Sequence, residues 1–333
     1  MKLTLLLLML LPIPAALACE LCAIYNSDNA LGASSSGLLF NVAEQYVPYR
    51  TRQDDGENPR PATSYVDSSI THLVPAYNFS SRFGVSLNVP LVYLNFQRTD
   101  LRYSLTAPPA QFTEKGTEFG LGDAALIGRV TVFQKSTMEY GVVVNALGGV
   151  KFPTGNDERL DGEVDQAKIF EALGGPHDDP LGHSISTVHE HSLAVGSGSY
   201  DGVFGLTANG RWRRWFINGQ FQYYLRTEGA SGFRYGDELM VSGGPGAYVL
   251  LSRSCTLSLQ ANAVYDWMAR DEVLGRPSNQ TGLTAWYLGP LLNFTWGDHF
   301  SANAGVDVPL SIDNNGRQSV PDYRIHGGFS WRF

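Results

Sequence analysis

Four of the seven histidines of this chain crowd into fifteen residues: His177, His183, His189 and His191. Asp178, Asp179 and Glu190 lie among them. Imidazole with carboxylate suits a divalent metal such as zinc, copper or nickel. An extended backbone would set His189 and His191 on one side. No HExxH motif and no closed tetrahedral spacing accompanies them, so the competing expectation is a solvated loop that titrates at about pH 6.5. A divalent metal at this loop is the one cofactor the residues suggest.

A second candidate is Cys19 and Cys22, a CxxC pair. Covalent haem attachment needs His next, and residue 23 is Ala. A disulfide or redox pair in an oxidising compartment, a metal thiolate pair and lipidation of Cys19 stay open. Ala16 and Leu17 match a lipidation signal imperfectly. Cys255 reads as a small hydrophobe on an outward register.

The third candidate is a face rather than a motif. Trp215, Ile217, Gly219, Phe221, Tyr223 and Leu225 alternate with Phe216, Asn218, Gln220, Gln222, Tyr224 and Arg226. Leu257 to Trp267 and Phe300 to Leu310 alternate in the same way. A period of two assigns each set to one face of a strand. Runs of ten or more exceed the usual length in a soluble sandwich and match tilted strands crossing a bilayer. The polar face then becomes a lumen, lined by His72, Asp123, Arg129, Lys151, Asp201, Arg211, Gln220, Gln222, Arg226, Glu238, Gln260, Asn262, Asp266, Asp307, Arg324 and His326. Charges there must be hydrated or paired. The first strand is the least clear, because Glu44 interrupts its alternation.

These residues need a closed wall to position them. Short turns are expected near Ser80–Arg82, Lys135–Thr137, Arg213–Arg214, Ser252–Ser254 and Gly297–Asp298. Longer polar loops are expected over roughly 54–63, 99–118, 153–195, 228–234, 270–282 and 312–321. That rhythm gives an all-β transmembrane antiparallel barrel of about twelve strands with both termini periplasmic. The last residues, Tyr323, Ile325, Gly327, Phe329, Trp331 and Phe333, alternate to a terminal Phe, resembling the signal read by the barrel-assembly machinery. Aromatics at strand ends, such as Trp212/Trp215 and Phe294/Trp296, fit interfacial girdles.

Residues 1–18 read as a signal peptide: Lys2, an apolar run from Leu3 to Leu11, and Ala16-Leu17-Ala18 before cleavage. Residues 19–34 form a periplasmic N-terminal segment carrying the CxxC, and 35–333 the barrel. Acidic residues outnumber basic ones by 32 to 24, which argues against nucleic acid as a partner. The expected partners are outer-membrane lipid, the assembly machinery and a small-molecule substrate. No apolar run after the leader reaches helical spanning length.

Five segments of the middle resemble a family of outer-membrane proteins named for the meta-cleavage pathway of phenol degradation. They are Gly120-Leu121-Gly122-Asp123, Gly149 to Gly155 (GVKFPTG), Gly196 to Asp201 (GSGSYD), Gln222-Tyr223-Tyr224 and Tyr235 to Glu238 (YGDE). The resemblance implies a barrel that passes small, often apolar or aromatic compounds across the outer membrane. Read physically, Lys151 to Gly155 ends a strand and opens a loop, and Gly196 to Ser199 starts the returning strand, with the glycines architectural.

Three functions compete. A channel or transporter for small molecules comes first. A binding or assembly barrel that anchors a periplasmic or surface partner comes second. A lipase-like barrel enzyme comes last: no G-x-S-x-G elbow is present, and His72 and His326 fall on the inner register. No catalytic residue is expected.

Overall fold

The computed structural model describes residues 36–333. The expected leader and the Cys19/Cys22 pair lie outside the described residues. Seventeen strands and one long helix follow in order: β1 (Gly37–Asp54), β2 (Glu57–Asn78), β3 (Phe83–Arg102), β4 (Ala110–Leu121), β5 (Ala125–Ser136), β6 (Tyr140–Lys151), α1 (Glu158–Ala172), β7 (Asp201–Trp212), β8 (Trp215–Leu225), β9 (Phe233–Arg234), β10 (Glu238–Leu251), β11 (Cys255–Met268), β12 (Glu272–Val273), β13 (Arg276–Pro277), β14 (Leu283–Trp296), β15 (Phe300–Asn314), β16 (Arg317–Val320) and β17 (Arg324–Arg332).

Twelve antiparallel staves close the barrel, β4 and β5 together forming one of them. Closure is made by β1, which pairs β2 on one side and β17 on the other, with Gln45 opposite both Ile70 and His326. No edge is left in lipid, where unmade backbone hydrogen bonds are costly. The composite stave has a stated cause. Pro90 of β3 has no N–H to give the ladder, and Gly122 N–H instead donates to its carbonyl at 2.8 Å. The chain leaves β4 at Leu121, opposite Leu91, and rejoins β3 at Ala125, opposite Asn88. A side chain at Gly122 would press Pro90 Cγ at 3.0 Å and Val92 Cγ2 at 3.1 Å.

The outward face is apolar. Leu126, Phe204, Leu206, Ile217, Val241, Leu259, Leu292, Val308 and Phe329 are all exposed, while their chain neighbours on the inner register are buried or half-buried. Trp212, Trp215, Trp296 and Phe333 ring the short-turn end, and Phe119, Tyr200 and Trp286 ring the other. An apolar band between aromatic girdles places this wall in the outer membrane, short turns toward the periplasm. Glu44 faces outward within the band, and its carboxylate accepts the hydroxyls of Ser69 and Thr71.

The five expected short turns fall between strands as read from sequence. The long connections differ from expectation. Segment 54–63 is no loop: β1 and β2 run on to a turn at Asp55 and Gly56, both at positive φ. Segment 99–118 is mostly strand, only 103–109 being outside β3 and β4. Both hairpins rise above the apolar band, where polar residues can occupy either face of a strand. Segment 312–321 likewise carries β16, paired to β1. Over 228–234 and 270–282, β9, β12 and β13 form a small separate sheet.

Candidate functional site

The connection 153–195 does not project into solvent. It folds as α1 and a following coil, and packs inside the outer half of the barrel. Leu160, Val164 and Ala167 of α1 recur at helical spacing and bury against Leu181, Phe233 and Val273. The coil then lays Val188 and Leu193 on Val66 and Phe96, and Val195 on Ile70, Val92 and Leu94. Where this coil lies, the inner wall of β2 and β3 is largely apolar, although a lumen lining was expected to be polar.

Ion pairs pin this plug to the wall. Arg98, 2% exposed, holds Glu114 at 2.9 Å and also meets Glu190. Arg159 of α1 reaches Glu114 at 2.9 Å and Glu190 at 2.8 Å, and meets Glu118 as well. Asp100 accepts Ser184 Oγ and the Ile185 N–H, each at 2.9 Å.

Below the plug the motif segments converge on one charge network. Lys151 Nζ lies 2.6 Å from Asp123 and 2.7 Å from Asp201. Asp123 also accepts Ser197 Oγ at 2.6 Å, Ser197 N–H at 2.9 Å and Gly155 N–H at 3.0 Å. Arg226 joins Asp201 at 3.1 Å to Glu238 at 3.2 Å, stacked over Tyr224. The glycines permit this crossing: a side chain on Gly196 would meet the Gly155 carbonyl carbon at 2.4 Å. Arg324 pairs with Asp266 at 2.5 Å over the Tyr287 ring.

A cavity of about 240 Å³ lies between plug and network. Val66, Ile70, Val92 and Leu94 line one side; Asp123, Lys151, Arg226, Glu238, Asp266 and Arg324 line the other. Asp201 is buried in the network behind them, 1% exposed. The other residues expected on the lumen stand elsewhere. His72 bonds Asn88 at 2.9 Å, and Asp307 meets His326 at 3.2 Å. Arg129 reaches Asn78 at 2.7 Å, close to the turn at residues 80–82. Arg211 reaches the carbonyls of Arg213 and Thr137 at the periplasmic rim.

The histidines divide. His177 is exposed, beside Glu171 at 2.7 Å and Arg276. His183 is buried against Phe170 and Tyr103, its Nδ1 3.0 Å from the Pro180 carbonyl, and burial holds its pKa below the ordinary value. Neither joins His189 and His191, so a four-histidine site is corrected. His189 and His191 stack with ring centroids 5.2 Å apart, and the third member is Glu163 of α1. Glu163 lies 3.5 Å from His189 Nδ1 and 3.0 Å from His191 Nδ1. One ligand atom from each falls within 4.8 Å of the others. Burial alone would raise the Glu163 carboxyl, but the facing His191, its hydrogen bond and the nearby His189 imidazole hold it well below the usual carboxylate range. Burial opposes charge on His191 too, and Glu163 and Asp271 overcome it, holding that pKa above the ordinary value. Nothing in the sequence alone marks Glu163 or Asp271, because Glu163 interrupts the apolar stripe of the helix that buries it.

No protein-family model matches the chain, and no curated protein does. Among solved structures it is similar to the COG4313 outer membrane channel from Pseudomonas putida F1, at 11% identity and a TM-score of 0.58, over 92% of this chain and 99% of that one. Looser likenesses are the beta domain of the Bordetella autotransporter BrkA, at 10% identity and 0.42 over 90% and 100%, and the CymD monoaromatic hydrocarbon channel, at 8% and 0.40 over 90% and 89%. The first likeness is one of fold.

Proposed function

We propose that this barrel is an outer-membrane channel for small, partly apolar molecules, which pass along the β2–β3 wall and across the charged network. The cavity carries the reading. One side is aliphatic and the other bears both signs of charge, which suits a small molecule with an apolar body and a polar end. Its volume, about 240 Å³, exceeds the roughly 150 Å³ that accommodates benzene in a dry protein cavity. The five segments that resemble the phenol-degradation family support the reading, because Asp123, Lys151, Asp201 and Glu238 of the network come from them. The neighbour of like fold is itself described as a channel.

A second reading is favoured by the pairing of Lys151, Asp123, Asp201, Arg226 and Glu238, which closes the lumen with ion pairs. A barrel plugged in this way serves as a binding or assembly anchor. Proteoliposomes separate the two. Uptake of a small phenol or substituted benzoate above the level of empty liposomes, with measurable single-channel conductance, supports the channel. Flux at the empty-liposome level, with no conductance in wild type or in variants that release the plug, leaves the anchor.

A further inference from the structure

The Glu163–His189–His191 cluster has the chemistry and spacing of a metal site, and neither the charge network nor the cavity wall explains it. Its members come from two parts of the plug, the buried face of α1 and the coil that returns to β7. Glu163 and His189 are 2% and 3% exposed, and His189 Nδ1, the nitrogen that faces Glu163, has no hydrogen-bond partner among the described residues. A buried imidazole left so is costly unless something completes it.

The separations are those of co-ligands. Zinc bonds of about 2.0–2.1 Å at tetrahedral angles place neighbouring donor atoms about 3.3 Å apart. Glu163 stands 3.5 Å from His189 Nδ1 and 3.0 Å from His191 Nδ1. At 3.5 Å the first pair is too long for a good hydrogen bond, yet suits two groups facing one ion. His191 is oriented as a ligand would be. Its Nδ1 faces Glu163, and the Asp271 carboxylate lies 3.7 Å from its Nε2, on the far side of the ring. Tyr235 Oη donates to the His191 carbonyl at 2.8 Å, and Phe233 stacks on the ring. Both imidazoles border the cavity, which leaves a coordination position open toward the lumen.

We infer that Glu163, His189 and His191 bind one divalent transition metal of the zinc class, which clamps α1 to the returning coil and fixes the plug in the lumen. Two imidazoles and a carboxylate form a donor set that zinc accepts with a fourth, open position. Calcium and magnesium, which take oxygen ligands, are disfavoured. The inference does not depend on transport, because binding is read without any flux.

The test uses the mature protein folded in detergent, stripped with chelator and titrated with zinc chloride. Equilibrium dialysis with elemental analysis should give one saturable zinc per chain. Cobalt(II) should give the intense visible bands of a four-coordinate site. Glu163→Gln and His189→Asn should each weaken affinity at least tenfold. His177→Gln and His183→Gln should leave it unchanged. Heat-modifiable gel migration reports which variants have folded, and the cobalt spectrum of the wild type needs no variant at all. Absence of saturable zinc or of the cobalt bands in folded wild type would overturn the site in favour of a buried His–Glu ion pair. Equal loss in the His177 variant would overturn it in favour of diffuse binding along the loop.

Discussion

Lys151 Nζ stands 2.6 Å from Asp123 Oδ2 with both side chains 1% exposed. Asp123 lies in the crossover between β4 and β5, Lys151 ends the neighbouring β6, and the pair is completed by Asp201 from β7 on the other side. Removing this cation strips the buried Asp123 of its lysine partner and leaves Asp201 paired with Arg226. Breaking a buried pair in this way costs about 3–5 kcal/mol. Lys151→Met should therefore lower the unfolding midpoint in detergent sharply. A midpoint within error of wild type would mean the network is hydrated.

Arg226 borders the cavity and lies between two carboxylates. Arg226→Gln removes one positive charge from the path proposed above and removes the guanidinium that pairs with Glu238. In planar bilayers the reversal potential under a salt gradient should shift toward cation preference. An unchanged reversal potential at unchanged conductance would place the path elsewhere.

Arg159 connects the helix of the plug to Glu114, Glu118 and Glu190. Arg159→Gln should loosen the plug while leaving the barrel wall intact. The expected result is a several-fold rise in open probability, with gel migration unaltered. Equal conductance in both proteins would show that apolar packing alone seats the plug.

Leu292 faces lipid between Trp286 and Trp296 on β14 and is 44% exposed. An arginine near the bilayer midplane costs about 2–4 kcal/mol on a barrel wall. Leu292→Arg should reduce folding into vesicles by that amount in urea titrations. The same change at Lys135, already cationic beside a periplasmic turn, should be nearly neutral.

Phe333 donates its N–H to the Leu38 carbonyl at 3.0 Å at the barrel seam. We expect the unboiled protein to migrate faster than the boiled one, and deletion of Phe333 to cut outer-membrane yield far more than deletion within 103–109. Equal yields of the two deletions would argue against a C-terminal assembly signal.

The wall was legible because its physics is simple. A strand wet on one side and lipid-bound on the other must alternate, and Trp215 to Leu225 and Leu257 to Trp267 do so. The hairpin tips were not legible, because above the apolar band the outer face meets water and polar residues stand on both faces, as Arg98 and Asp100 do on the inner face of β3, so the apolar–polar alternation ends while pairing continues. Helix α1 escaped for a different reason. Glu163 sits on its buried face beside Leu160, Val164 and Ala167, so a charge interrupts the stripe that marks a buried helix. That same charge is what brings His189 and His191 together. Their shared side was readable from spacing, whereas their separation from His177 and His183 depends on a helix and a turn that periodicity did not reveal.

The coil from Val188 to Val195 covers Val66, Ile70, Val92 and Leu94 with its own aliphatic side chains, and both its ends are tied to neighbouring staves. It is thus a tethered competitor for the surface it hides. Any molecule that spreads along that wall beyond the cavity must displace a segment held at high effective concentration, so its apparent affinity there is reduced by the fraction of time the wall is bare. Weak occupancy follows from connectivity alone, without any defect in the surface. For a passage that must release what it admits, the competitor converts a sticky wall into a transient one.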